Sequence, residues 1–178
     1  LPLTQFYKVA VNNKEPFYHI FGGTQDNGSA GGPSATDEGT GITNRDWYKT
    51  LFADGHQSAT DPVYNDIIYA TTQEGRFHRV DLKTGEQVFV QPQALEGDPH
   101  ERYNWDTPIL VSPHDPAKIY IGSYRVWESM DRGDSWNAIS GDLTRNENRI
   151  ELSIMGRKQS WENAWDVKAM SQYNTITS

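Results

Sequence analysis

The sequence predicts an all-β chain of β-propeller blades, about three and a half four-stranded units by the repeat length usual for such blades. Three observations predict it: a strand motif recurring about every 50 residues, turn signals at matching places in the copies, and one complete Asp-box hairpin. The motif reads Phe17-Tyr18-His19-Ile20-Phe21-Gly22-Gly23-Thr24, then Asn65-Asp66-Ile67-Ile68-Tyr69-Ala70-Thr71-Thr72, then Ala117-Lys118-Ile119-Tyr120-Ile121-Gly122-Ser123. In each copy β-branched and aromatic residues run into small ones, as strands do. Asp61-Pro62 and Asp115-Pro116 punctuate the chain before the second and third copies, each a turn signal. Val9-Ala10-Val11 and Ile109-Leu110-Val111 read as the strands that precede them. One unit is therefore strand, turn, strand, hairpin, strand. The units fall near 5–52, 53–104 and 105–148, and 149–178 reads as a linker and the start of a further blade, with Tyr173-Asn174-Thr175-Ile176-Thr177 as its opening strand.

The hairpins can be read in the same way. After the alternating run Arg76-Phe77-His78-Arg79-Val80 comes Asp81-Leu82-Lys83-Thr84-Gly85, a turn in which Asp bonds nearby N–H groups and Gly accepts positive φ. In the third unit, Ser129-Met130-Asp131-Arg132-Gly133-Asp134-Ser135-Trp136 fills every specified position of an Asp box. Its roles are structural: Asp131 accepts backbone N–H groups across the loop, Gly133 takes the left-handed geometry, and Trp136 packs over the hairpin. Ser129 and Ser135 complete the motif. Asp37-Glu38-Gly39 followed by Trp47 reads as an Asp box stretched by an insertion. The run Gly28-Ser29-Ala30-Gly31-Gly32-Pro33-Ser34 reads as a surface loop, the alternative being a tight approach of backbone to something else.

Composition narrows the functional classes. Mean hydropathy is −0.76, yet 6 Trp, 9 Tyr and 6 Phe among 178 residues are too many for a disordered polymer. The formal charge of −8, with basic residues scattered singly, argues against nucleic acid, which requires a clustered basic face. There is no cysteine, hence neither disulfides nor a thiolate metal site. No apolar run has the length of a membrane span, about 18 residues. The five histidines lack zinc-ligand spacing. No cofactor is expected, with calcium the ion best suited to the loops Asp26-Asn27-Gly28 and Asp54-Gly55-His56. The opening Leu1-Pro2-Leu3, without Met or a signal-peptide core, fits mature processing or excision from the middle of a longer polypeptide, and the repeats favour excision.

With the repeats in place, Gly22-Gly23-Thr24-Gln25-Asp26-Asn27-Gly28-Ser29, Asn44-Arg45-Asp46-Trp47-Tyr48, Asn104-Trp105-Asp106-Thr107-Pro108 and Ser112-Pro113-His114-Asp115-Pro116 resemble large bacterial exported proteins with BNR/Asp-box repeats, the sortilin-like or glycosyl-hydrolase-like group. The resemblance covers nearly the whole chain. It implies a propeller with more blades than this chain holds, in an extracellular or periplasmic parent. Sortilin-type propellers bind peptides in a wide tunnel, whereas sialidases and xyloglucanases use the same repeat as a catalytic scaffold. A shared fold does not transfer either activity. Open sheet edges imply completion by the remaining blades of the parent or by self-association.

Candidate ligand residues are Gln25, Asp26, Asn27, Asp46, Trp47, Asp54, His56, Asn104, Trp105, Asp106 and Arg125. Aromatic rings beside acids and amides suit sugar faces and the side chains of peptides; in turn-rich β chains the same acids also cap turns. Glycoside hydrolysis needs two opposed carboxylates, for which Asp26, Asp46, Asp54, Asp66 and Asp106 are available. Arg45, Arg102 and Arg125 stand apart in the sequence and the Phe/Tyr-Arg-Ile-Pro signature of sialidases is absent. The expected function is a non-catalytic scaffold for a protein, peptide or glycan. The alternative is part of a glycoside hydrolase completed by sequence outside this chain.

Overall fold

The computed structural model describes residues 4–167 and 172–177; Leu1-Pro2-Leu3 lies outside the described residues. The described residues form an all-β fold, with 14 strands in four antiparallel sheets. Sheet A runs in chain order through β1 (Val9–Val11), β2 (His19–Thr24), β3 (Gly28–Pro33) and β4 (Tyr48–Leu51). Sheet B follows with β5 (Ser58–Thr60), β6 (Ile67–Thr71), β7 (Phe77–Asp81) and β8 (Gln87–Phe89), and sheet C with β9 (Ile109–Val111), β10 (Ile119–Gly122), β11 (Val126–Ser129) and β12 (Asn137–Ala138). A small hairpin, β13 (Ser153–Ile154) with β14 (Arg157–Lys158), precedes one turn of helix, α1 (Ala164–Val167). Each recurring sequence motif forms the second strand of its sheet, β2, β6 or β10.

The sheets stack face to face. Phe21 of sheet A meets Ile68 and Val80 of sheet B, while Tyr69, Phe77 and Val90 of sheet B meet Ile109, Ile119, Ile121 and Trp127 of sheet C. Each of the fully buried members contributes about 1.5–3 kcal/mol. The first strands are neighbours across the stack, β1 beside β5 and β5 beside β9. Side chains tie them. Thr60 Oγ1 donates to the Val11 carbonyl at 2.8 Å, and the Gln57 amide bridges both backbone groups of Ile109, at 2.8 and 3.3 Å.

The glycine-rich run is not the surface loop its composition suggests; it is β3, paired on both sides within sheet A. Aromatic rings exclude side chains from it. A Cβ on Gly31 would stand 2.6 Å from the Phe21 ring, and one on Gly32 would stand 2.6 Å from the indole of Trp47, which lies against the other face of the strand. The tight-approach alternative describes it correctly. The stretched Asp box also needs correction. Asp46, not Asp37, organises that loop, accepting Thr43 N at 2.6 Å and Thr43 Oγ1 at 2.9 Å. Tyr173–Thr177 forms no strand; Ile176 N donates to the Ser123 carbonyl at 2.7 Å and its side chain covers Gly122.

The complete Asp box behaves as its chemistry requires. Asp131 Oδ1 accepts Ser129 Oγ and Ser135 N, both at 2.8 Å, and Gly133 has φ 94°. Trp136 does more than cover its own hairpin, because its Nε1 donates to the Val90 carbonyl across the stack at 2.7 Å. Arg132 of the same loop crosses as well. Its Nε lies 3.1 Å from Oδ2 of the fully buried Asp61, its guanidinium lies over the Tyr64 ring, and its carbonyl accepts Arg79 Nη1. The other oxygen of Asp61 accepts Val63 N and Tyr64 N, the expected Asp-Pro turn.

Sheet A meets the β4–β5 link closely at Gly23, where a Cβ would land within the backbone of Gly55 and His56. Gly23→Ala is therefore expected to lower stability by about 3 kcal/mol or more. Gly85→Ala, in open space at φ 76°, is expected to cost about 1 kcal/mol. Urea denaturation of the two variants checks the order.

Candidate binding site

Because each sheet is a simple meander, its connections alternate between two ends. The β2–β3 turn, the β4–β5 link, the β6–β7 turn, the long β8–β9 link and the β10–β11 turn share one end. This end gathers Gln25, Asp26, Asn27, Asp54, His56, Asn104, Trp105, Asp106 and Arg125. Asp46 and Trp47 lie apart from it, at the β3–β4 connection. Trp47 rests on Gly32 and stacks with Phe6 beside a cavity of about 420 Å³ on the outer face of sheet A.

His56 is the centre of the cluster. Its position follows from Gly23 and Gly55, which let the β4–β5 link press against β2. The His56 N–H bonds the Thr71 carbonyl at 3.0 Å, which holds the residue in line with β6. The ring is fully buried, with Tyr7 stacked on it at 4.9 Å and Trp105 meeting it edge-on at 5.9 Å. Asp106 Oδ1 lies 3.7 Å from His56 Nδ1, while Asp106 Oδ2 pairs with Lys8 Nζ at 3.2 Å. Burial holds the pKa of His56 below its ordinary value, and Lys8 acts in the same direction against the opposing pull of Asp106 and Asp54.

Around that centre the other acids and amides are engaged. Asp54 Oδ1 accepts the N–H of Asp26 at 2.6 Å, supporting Asp26 at φ 61°. Gln25 Oε1 accepts the Tyr7 hydroxyl at 3.2 Å, and the Asn27 carbonyl accepts Lys49 Nζ. A groove of about 490 Å³ runs past Thr4–Tyr7, Gln25 and Asn27. Asn104 Oδ1 accepts Asp106 N at 3.0 Å, and its carbonyl accepts Thr107 Oγ1 at 2.8 Å. That turn presents Trp105 and Asp106 to the end face.

Arg125 has a different setting. It is buried, with Nη2 2.9 Å from Glu101 Oε2 and Nη1 2.7 Å from Asp98 Oδ2, and it packs on the rings of Tyr124 and Trp127. Burial opposes its charge, but the bonds to Glu101 and Asp98 prevail and raise its pKa. Glu101 also accepts Trp127 Nε1 at 2.8 Å and the Ser123 hydroxyl. This network fixes the β8–β9 link to β10 and β11.

Sequence reasoning missed Tyr7, Lys8, Asp98 and Glu101. They carry no motif, and their importance comes from partners far along the chain. For metals, no group of three or more His, Asp or Glu side chains converges among the described residues. Compared with protein-family models and with curated protein sequences, the chain matches none.

Two measurements bear on this geometry. Arg125→Met leaves Glu101 buried without its cation, and is expected to cost about 3–5 kcal/mol in chemical denaturation. His19, His56 and His78 all have lowered pKa values with burial as the leading cause. The unfolded chain then binds protons first as pH falls. Stability is expected to be full above the ordinary histidine value of 6.5 and to decline below it, levelling once the folded-state histidines are also protonated. Melting temperature measured across that window checks the sign.

Proposed function

We propose that the chain is a set of β-propeller blades from an exported scaffold, and that it binds a protein, peptide or glycan at the end face around Trp105. The blade reading is supported by three successive four-stranded meanders, stacked in chain order with their first strands adjacent. Further blades, from the parent or from another copy, would cover the outer faces of sheets A and C. The observation that carries the binding reading is the meeting of Tyr7, His56, Trp105 and Asp106 at one end of the stack, from segments far apart in the chain. Rings with acids and amides at their rim bind ligands through stacking and directed hydrogen bonds.

Binding is favoured over hydrolysis because the carboxylates near this centre already have structural partners. Asp106 pairs with Lys8, Asp54 holds the Asp26 turn, and Glu101 and Asp98 hold Arg125. The test is a screen of the chain against arrayed glycans and peptides, followed by titration of the hits. Saturable binding weakened about tenfold or more by Trp105→Ala, with the fold intact, is the expected result. Release of sugar from a polymeric glycan, abolished by Asp54→Asn or Asp106→Asn, would establish a hydrolase instead. Absence of any saturable ligand would overturn the reading.

A further inference from the structure

Two polar groups at the end face lack partners. Neither ring nitrogen of the fully buried His56 has a hydrogen bond, and neither does Asp106 Oδ1, whose atom is itself buried. Unpaired buried polar atoms are costly and uncommon. Here they stand 3.7 Å apart, His56 Nδ1 and Asp106 Oδ1, with the rings of Tyr7 and Trp105 packed on the imidazole. The lowered pKa of His56 makes its imidazole neutral near pH 7, so that one nitrogen is an acceptor rather than a competing cation. At 3.7 Å the N–H of the imidazole itself does not reach the carboxylate, and a compact donor set between them would serve both.

The chain itself shows which group fits. Lys8 brings its ammonium to Asp106, but to the outer oxygen, Oδ2, at 3.2 Å. An ammonium has three donors on one small centre, enough for Asp106 Oδ1, a neutral His56 nitrogen and the face of a ring. Asp54 adds negative charge nearby, and the chain carries −8 overall, which draws cations toward the site.

We propose that Asp106, His56 and Trp105 form a receptor for a primary ammonium group, the lysine side chain or free N-terminus of a peptide, and that Lys8 is an internal competitor for the Asp106 carboxylate. The assignment rests on the end face being a binding surface and specifies its ligand. Lys8 raises the selectivity of the site, since a ligand must outcompete an ammonium already paired with the same carboxylate.

The test follows the His56 ring and Trp105 indole resonances by NMR while three probes are added. They are N-acetyl-lysine amide, alanyl-alanine amide with its free N-terminus, and the uncharged N-acetyl-norleucine amide. Saturable shifts are expected with one or both of the ammonium probes and not with norleucine; which of the two binds identifies the source of the ammonium. Lys8→Met is expected to tighten binding about tenfold, and Asp106→Asn to abolish it. Lys8→Gln, which retains an uncharged donor for Asp106, is expected to act in the same direction and serves if Lys8→Met fails to fold. Equal binding of norleucine, unchanged or weaker affinity in the folded Lys8 variant, or no response to either ammonium probe overturns the proposal. A glycan bound at Trp105 by a chain inert to ammonium probes would remove this assignment while leaving the binding scaffold in place.

Discussion

The end face depends on one buried carboxylate. Glu101 sits in a long link without regular structure, and such a link has little of its own to hold it. Burying that charge is costly unless its oxygens are filled. Here they are filled by the Arg125 guanidinium, the Trp127 indole and the Ser123 hydroxyl. Because those donors lie on or beside β10 and β11, the link inherits the rigidity of a sheet. Tyr103, also buried, adds a second anchor by donating its hydroxyl to the Pro92 carbonyl at 2.7 Å. Trp105 and Asp106 follow within the same short stretch, so their presentation is a consequence of how Glu101 is satisfied.

Between sheets A and B the governing constraint is space. Phe21 and Tyr48 bring large rings to sheet A, and Gly31 provides the room they need. Gly23 performs the same service for backbone, admitting the β4–β5 link and with it His56. The same close fit that seals the stack thus delivers a buried imidazole to the end face.

The second strands were legible in the sequence because each repeats a local pattern with its own turn signals; Ile68 and Ile119 needed no knowledge of their partners. Asp61, Asp81, Asp115 and Asp131 were equally readable, since an aspartate in a turn bonds N–H groups only a few residues away. The Gly28–Pro33 strand was not, because glycine shows local freedom while its reason for being there, an indole and a phenyl ring, comes from elsewhere. The candidate site divides along the same line. Trp105, Asp106 and His56 were visible as residue types, but their convergence on Tyr7 and Lys8 depends on stacking that no local pattern encodes. Glu101 stands in a polar stretch with nothing local to signal the cation that fills it.

Arg132 shows how a single loop can join two sheets. The Asp-box arginine of sheet C is a plug, and the Asp61-Pro62 turn of sheet B is its socket. The third repeat carries its own Asp-Pro turn at Asp115, where Oδ1 accepts Ala117 N at 3.0 Å in the local bond that Asp61 also makes. Sheets A and B meet instead through Phe21, Ile68 and Val80 and through the Thr60 bond to Val11, so sheets of the same meander are held together by two different joints.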